Sequence, residues 1–166
     1  MKKFVSVLMV IVSLFSVTTA FASTPEELIE IINQARLELT QYYEPVAKGT
    51  VLYEDENIKV TATGSPHFSD FISSFLYIDV IVENHSNKNL SIGFENASIN
   101  GWAIDGTGEA IPAGKKAKGS LEFFSMENTD ITEASEVQEI EGTLYYFDSD
   151  SWNRIEEKPF YWLFNN

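Results

Sequence analysis

The sequence predicts a mainly β fold, an antiparallel β-sandwich preceded by one N-terminal amphipathic α-helix. Apolar residues recur at three- and four-residue spacing before Pro45, which is the helical period. From Thr50 onward the period changes to two, which is typical of strands with one buried face. Polar turns divide this second stretch into seven or so short strands, the pattern of a β-sandwich.

The first 22 residues have the organisation of a secretory signal peptide. Met1-Lys2-Lys3 is a short basic start, Phe4 to Val17 is apolar, and Ala20-Phe21-Ala22 places small residues where a signal peptidase reads them. The alternative is an uncleaved anchor helix, but a bilayer of about 30 Å needs roughly 20 apolar residues. We therefore expect cleavage of residues 1–22, a secreted protein, and no membrane span after cleavage.

The predicted helix belongs to residues 23–45. Thr24 is a good N-cap, Pro25 suits the first helical position, and Glu27 completes a capping box. One apolar stripe runs along the helix: Leu28, Ile31, Ile32, Ala35, Leu39, Tyr42 and Tyr43. Pro45 disfavours helix at the residue before it, so the helix should end near Tyr43. The stripe either docks on the following domain or pairs with another chain, and we expect docking because a lone helix is marginal in water.

Residues 46–166 are predicted to form one β domain. Strands are expected where apolar residues alternate: Asn57–Thr63, Phe75–Asn84, Leu90–Phe94, Leu121–Phe123, Ile140–Tyr146 and Phe160–Phe164. Asn100-Gly101 is a strong two-residue hairpin signal. Turns or loops are expected at Glu54–Glu56, Asp105–Gly108, Pro112–Gly114 and Asp148–Ser151, and a short helical turn within Asn128–Ser135.

Two segments of this domain carry specific turn-and-strand motifs. Tyr77–Lys88 is a hydrophobic strand that continues into Glu83-Asn84-His85-Ser86, and Ile111–Phe123 is a Pro-x-Gly-Lys turn that leads into a strand. With Tyr146–Asp150, they resemble an immunoglobulin-like domain of secreted or surface proteins of Gram-positive bacteria, a family of unknown function. The resemblance spans residues 50–155 and leaves the predicted helix outside. It implies an immunoglobulin-like sandwich and an extracellular interaction or accessory module, and it supplies no catalytic residue.

The composition excludes several classes of function. The chain has 11 Lys and Arg against 25 Asp and Glu, a net charge of −14, and removal of Lys2 and Lys3 with the leader changes −14 to −16. A protein that binds nucleic acid by neutralising phosphates needs a basic face, so no nucleic-acid partner is expected. The absence of cysteine excludes a disulfide scaffold, a zinc ribbon and a thiol nucleophile.

Catalytic and metal chemistry have only weak signals in the sequence. His67 and His85 are the only histidines, and no Gly-x-Ser-x-Gly elbow accompanies them. Paired carboxylates of a glycoside hydrolase are available in so acidic a chain, but most of its acids should be solvated. Asp148-Ser149-Asp150 begins like a calcium loop, yet Trp152 stands where the third oxygen ligand is needed. We expect no catalytic residue, no metal and no cofactor.

The C-terminal part of the chain is rich in aromatic residues: Tyr145, Tyr146, Phe147, Trp152, Phe160, Tyr161, Trp162 and Phe164. Alternation must send about half of them into the core, and we expect Phe160, Trp162 and Phe164 there. Trp152 and Tyr161 are then the candidates for an exposed ligand-binding patch, since exposed aromatic rings stack on sugars or receive protein partners.

Lysines concentrate at one turn and are further candidates for ligand binding. Lys115, Lys116 and Lys118 would contact an anionic wall polymer or an acidic partner. Alternatively, they are lysines of a turn and an edge strand that prevent edge-to-edge association.

These observations predict a secreted, non-catalytic binding or accessory module at or near the bacterial cell surface, with an unknown protein or polysaccharide as its partner. The alternatives from other classes are a secreted hydrolase that uses paired carboxylates and a calcium-dependent adhesion module.

Overall fold

The computed structural model describes Thr24, residues 45–69 and residues 75–164. The predicted signal peptide, residues 1–22, and the predicted helix, residues 23–45, lie outside the described residues except at Thr24 and Pro45. The chain divides into two compact units, Met1–Glu44 and Pro45–Asn166, and the fold described below belongs to the second. Within the described residues, no helix is long and apolar enough to cross a membrane.

The described fold is mainly β, which confirms the prediction at this level. Its strands are β1 (Val51–Glu54), β2 (Ile58–Ala62), β3 (His67–Phe68), β4 (Leu76–Asn84), β5 (Leu90–Ile99), β6 (Trp102–Ile111), β7 (Lys116–Phe124), β8 (Glu139–Asp148) and β9 (Arg154–Leu163). Two single-turn 3₁₀ helices, η1 (Met126–Asn128) and η2 (Ala134–Glu136), lie between β7 and β8. The helical turn expected within Asn128–Ser135 is therefore two short turns, one at each end of that segment.

The nine described strands form one antiparallel sheet rather than two separate ones. Their order is β1-β2-β4-β7-β6-β5-β8-β9, and β3 pairs with β4. β4 and β7 lie next to each other near the middle of this order and are in register from Leu76 opposite Phe123 to Glu83 opposite Lys116. The alternation that predicted β4 is visible in its burial, because the following residues are all buried: Leu76, Ile78, Val80 and Val82.

The sheet curls so that its first and last strands meet over one hydrophobic core. Tyr53 of β1 packs edge-on against Tyr146 of β8, with ring centroids 6.1 Å apart. Trp162 of β9 donates a hydrogen bond from Nε1 to the carbonyl oxygen of Leu52, at 3.4 Å. These contacts between opposite ends of the strand order give the sheet a barrel-like form, whose inner face buries apolar side chains from both halves.

The prediction of a loop at Asp105–Gly108 is wrong, because these residues lie inside β6. β6 pairs with both β5 and β7 and so joins the two halves of the sheet. A Cβ atom on Gly106 would lie 2.8 Å from the ring of Phe123, and one on Gly108 would lie 3.0 Å from Leu121. The glycines therefore mark a close approach of the strand backbone to the core rather than a loop.

The hairpin predicted at Asn100-Gly101 is confirmed between β5 and β6. Both residues have positive φ, 50° and 83°, as the primed two-residue turns require. The Asn100 amide also donates to the carbonyl oxygen of Glu136 at 2.8 Å and accepts from the backbone N–H of Gln138 at 2.9 Å. This turn closes one end of the fold.

Candidate functional site

Three turns meet at the end of the sheet opposite the Asn100-Gly101 hairpin. They are the β4–β5 turn (85–89), the β6–β7 turn (112–115) and the β8–β9 turn (149–153). The Asn89 side chain accepts a hydrogen bond from the backbone N–H of Ala113 at 3.1 Å and donates to the Asp150 carboxylate at 3.1 Å. The Asn89 carbonyl oxygen accepts from the backbone N–H of Ser149 at 2.8 Å. One asparagine thus bonds to both of the other turns.

Asn84, the last residue of β4, stabilises the β4–β5 turn and the β6–β7 turn. Its side chain is buried and donates to the carbonyl oxygens of Lys88 at 2.8 Å and Ile111 at 3.0 Å. Its Oδ1 accepts from the backbone N–H of Ser86 at 2.9 Å. A buried amide with this many partners rigidifies its surroundings, so the turns present their side chains from a fixed base.

Trp152 is the most exposed large hydrophobic residue of the described chain, with 77% of its surface accessible. Its φ of 60° lies in the left-handed region, where a residue with a bulky side chain is strained. Its backbone N–H donates to the carbonyl oxygen of Asp148 at 2.7 Å. Its indole stacks on the ring of Phe147, with centroids 5.3 Å apart and an interplanar angle of 18°. One face of the indole is therefore packed and the other faces outward.

A second stack lies beside the first on the outer face of the sheet. Tyr145 is opposite Gly93 in the β5–β8 pairing, and a Cβ atom on Gly93 would lie only 2.4 Å from the tyrosine ring. The ring thus lies directly over the glycine backbone. The guanidinium carbon of Arg154 is 3.9 Å from the Tyr145 centroid, and Phe147 is 6.1 Å from Tyr145 between ring centroids. We call Tyr145, Phe147, Trp152 and Arg154 the hairpin platform.

Two carboxylates hold Arg154 in place over the tyrosine. One guanidinium nitrogen donates to Glu157 at 2.6 Å, and both terminal nitrogens bond to the two carboxylate oxygens of Glu95. The hydrogen bond from Arg154 holds the pKa of Glu95 below its ordinary value, and the two carboxylates raise the pKa of Arg154. Arg154 therefore stays protonated and is fixed in plane by bidentate geometry.

Tyr161, the second aromatic candidate, is not part of the platform. It lies near the end of β9, opposite Glu141, whereas Arg154 begins that strand. Seven residues of strand correspond to about 23 Å. Tyr161 is half-buried, and its hydroxyl donates to the carboxylate of the buried Glu139. The structure therefore places it at the opposite end of the sheet from Trp152.

The candidate lysines lie at the same end as the platform but on the other half of the sheet. Lys115 is exposed in the β6–β7 turn, and its carbonyl oxygen accepts from the backbone N–H of Asn84 at 2.8 Å. Lys116 begins β7, and its Nζ is 3.0 Å from the Glu83 carboxylate of β4. β7 lies between β4 and β6 in the strand order, so it is not an edge strand as a whole. Its pairing with β6, however, covers only residues 122–124, and the lysines stand at the end of β7 that this pairing does not reach.

The acidic turn at Asp148 and Asp150 bonds to the protein itself. Asp148 accepts from the backbone N–H of Asp150 at 3.0 Å, which holds the pKa of Asp148 below its ordinary value. Its other oxygen is 3.6 Å from the Nζ of Lys88. Across the described residues, no three histidine, aspartate or glutamate side chains are grouped closely enough to hold a metal ion.

The two histidines lie far apart, so they share no site. His67 of β3 is opposite Tyr77 near the start of β4 and stacks on its ring, with centroids 5.9 Å apart. His85 follows the last residue of β4. The eight residues from Tyr77 to His85 correspond to about 26 Å of strand, which excludes a metal site or a catalytic triad that uses both histidines.

One polar cluster was not found by sequence reasoning. The Asp55 carboxylate accepts hydrogen bonds from the hydroxyls of Tyr53 and Tyr146, both at 2.9 Å, and from the backbone N–H groups of Asn57 and Ile58. Burial acts to raise the pKa of Asp55, but these hydrogen bonds outweigh it and lower the pKa. Burial also raises the pKa of both tyrosines. The cluster joins the β1–β2 turn to β8 and explains why this acidic turn is ordered.

Comparison with known proteins adds little. No protein-family model matches the chain, and no curated protein matches it significantly. Among solved structures, the chain is similar to a crystal structure of the GAE domain of yeast GGA1, with 7% sequence identity and a TM-score of 0.33. The match covers 70% of this chain and 98% of that chain. At this TM-score, the likeness supports no conclusion about the function of this chain.

Proposed function

We propose that this protein is a secreted, non-catalytic binding module that attaches to a protein or polysaccharide partner at the bacterial cell surface through the hairpin platform. The observation that carries the proposal is Trp152, a large aromatic residue whose outer face is exposed at the tip of a rigid turn. Exposed aromatic residues on pre-ordered turns are the usual anchors of binding surfaces.

A tryptophan at position 152 has two energetic disadvantages that another residue in this turn would avoid. Its left-handed backbone costs about 1 kcal/mol or more, which asparagine or glycine would avoid. Its exposed indole loses the burial energy that a tryptophan usually contributes to folding. The stack on Phe147 recovers only about 0.5–1.5 kcal/mol. A residue that folding does not favour at this position is best explained by a contact with something outside the chain.

The surroundings of Trp152 also favour binding over catalysis. The carboxylates of Glu95 and Glu157 bond to Arg154, and that of Asp150 bonds to Asn89. The hydrogen bond from Arg154 favours the ionised form of Glu95, and an ionised carboxylate has no proton to donate as a general acid. The hydrolase therefore ranks below the binding module. The calcium-dependent module also ranks below the binding module, because the Asp150 carboxylate already accepts a hydrogen bond from Asn89.

We further propose that the single curled sheet forms an immunoglobulin-like sandwich, with its two halves as the two layers, of the kind found in Gram-positive surface proteins. The support is the way in which the two motif segments meet. Asn84 from the segment Tyr77–Lys88 donates to the carbonyl oxygens of Ile111 and Pro112, which begin the second segment. The two motif segments thus form one structural unit.

The experiment is co-sedimentation of the purified secreted protein with cell envelopes of the producing bacterium. The test variant is Trp152→Asn. The matched control is Trp102→Ala, which removes an exposed tryptophan at the start of β6, at the end of the sheet away from the platform. We expect Trp152→Asn to bind at least tenfold more weakly, because a central aromatic contact contributes about 2 kcal/mol. We expect Trp102→Ala to bind like the wild type. Equal binding of the wild type and Trp152→Asn would overturn the proposal.

A further inference from the structure

We propose that the ligand of the hairpin platform is a neutral polysaccharide, a chain of uncharged sugar rings that lies along β8. This inference rests on the proposed function and names the class of ligand. Three features of the described residues carry it: the pairing of the cations at the platform, the flat surfaces that the platform presents, and the small residues of the neighbouring strand β5.

The two cations at the platform, Arg154 and Lys88, are each paired with carboxylates. Arg154 bonds to Glu95 and Glu157, and Lys88 lies 3.6 Å from Asp148. An anionic ligand would have to compete with two carboxylates for the guanidinium, and a cationic ligand would have to compete with the guanidinium for the carboxylates. Arg154 is thus already engaged by two carboxylates and Lys88 by one, and the local excess of carboxylates disfavours an anionic ligand. Paired ionic groups still offer fixed donors and acceptors, which suit hydroxyl groups.

The surfaces of the platform are flat and lie next to one another. The outer face of the Trp152 indole is parallel to Phe147, and the guanidinium of Arg154 covers the ring of Tyr145. The apolar C–H face of a sugar ring packs on such planes, while its hydroxyl groups point sideways to polar atoms. The flat surfaces of the platform therefore suit sugar rings.

The side of the platform toward β5 carries small residues and polar atoms. Ser91 is opposite Phe147 and Gly93 is opposite Tyr145, so small residues stand beside each aromatic ring on the same face. The hydroxyls of Ser91 and Ser149 are 2.8 Å apart and add further hydrogen-bonding atoms at this edge. This polar margin supplies hydrogen-bond partners for the hydroxyl groups of a sugar chain that lies beside the aromatic rings.

The test uses three preparations of envelope from the producing bacterium: untreated, protease-treated, and protease-treated followed by hydrofluoric acid to remove phosphate-linked anionic polymers. Binding of the wild type, Trp152→Asn and Trp102→Ala is measured on each, at ionic strengths of about 0.05 and 0.5 M. We expect the Trp152-dependent binding to survive both treatments and to change less than twofold with salt. We also expect Arg154→Lys, which keeps the charge but not the planar stack, to weaken it at least fivefold.

The outcomes separate this inference from the proposed function. Loss of Trp152-dependent binding after protease would indicate a protein partner. Loss after hydrofluoric acid, or at the higher salt, would indicate a charged polymer. A wild-type dimer in sedimentation equilibrium that Trp152→Asn dissociates would make the platform an interface between copies. Each of these results overturns the polysaccharide inference. Equal binding of the wild type and Trp152→Asn to untreated envelopes overturns the proposed function as well.

Discussion

Replacing Asp55 by alanine should destabilise the fold more than any other change at an acidic turn residue. The carboxylate accepts four hydrogen bonds at 2.8–2.9 Å, from the hydroxyls of Tyr53 and Tyr146 and from two backbone N–H groups. Each bond contributes about 0.5–1.5 kcal/mol net. We therefore expect Asp55→Ala to lower the free energy of unfolding by about 3 kcal/mol, which corresponds to a decrease in Tm of about 10 °C.

The measurement is urea unfolding followed by tryptophan fluorescence. Glu56→Ala is the matched control, because Glu56 is an exposed acidic residue of the same turn. Its removal should change the free energy of unfolding by less than about 0.5 kcal/mol. If Asp55→Ala unfolds within about 1 kcal/mol of the wild type, or if the two variants are equally unstable, the cluster does not stabilise the fold as we argue.

The pH dependence gives a second test of the same cluster. Hydrogen bonds hold the pKa of Asp55 below that of the unfolded chain, despite its partial burial. Its contribution is therefore present above the unfolded pKa, about 3.9, and is lost as the pH falls through the lower folded pKa. The difference in stability between the wild type and Asp55→Ala should be full at pH 7 and should shrink below about pH 4. A constant difference from pH 7 to pH 2 would contradict this assignment.

Three further predictions concern other parts of the fold. Burial raises the pKa of Tyr53 and Tyr146, so stability should be constant up to about pH 10 and fall at higher pH, as circular dichroism in alkaline titration would show. Gly106→Val should cost about 2 kcal/mol in urea unfolding, because a Cβ there meets the core; unchanged stability would contradict the close approach. Asn84→Ala should cost about 2–3 kcal/mol and broaden the amide NMR signals of both neighbouring turns, and sharp signals would show that Asn84 does not order them.

Most strands were predictable because the period of two persists wherever one face is buried. The alternation in β4 predicted which side chains are inside, and the same rule in β8 places Leu144 and Tyr146 inside. It follows that Tyr145 and Phe147 lie outside, so two members of the platform could have been found from the pattern alone. Asn100-Gly101 was equally clear, because few dipeptides adopt positive φ twice in succession.

The remaining features depend on contacts between residues distant in the sequence. Asp55 and Tyr146 meet only after the sheet has curled, and no local pattern distinguishes this aspartate from its acidic neighbours. The stack of Arg154 on Tyr145 depends on the vacant position at Gly93, which belongs to another strand. Tyr161 was expected outside by alternation, but it is half-buried and its hydroxyl bonds to the buried Glu139 carboxylate. Tertiary contact decides each of these cases.

The most direct test of the binding account is to measure the stability and the envelope binding of Trp152→Asn on the same preparation. Asparagine suits the left-handed backbone of this turn, so the gain there should offset the lost stack on Phe147. The account predicts a free energy of unfolding within about 1 kcal/mol of the wild type, together with at least a tenfold loss of binding. A variant that binds envelopes as tightly as the wild type would show that the exposed indole is not the contact and would contradict the account.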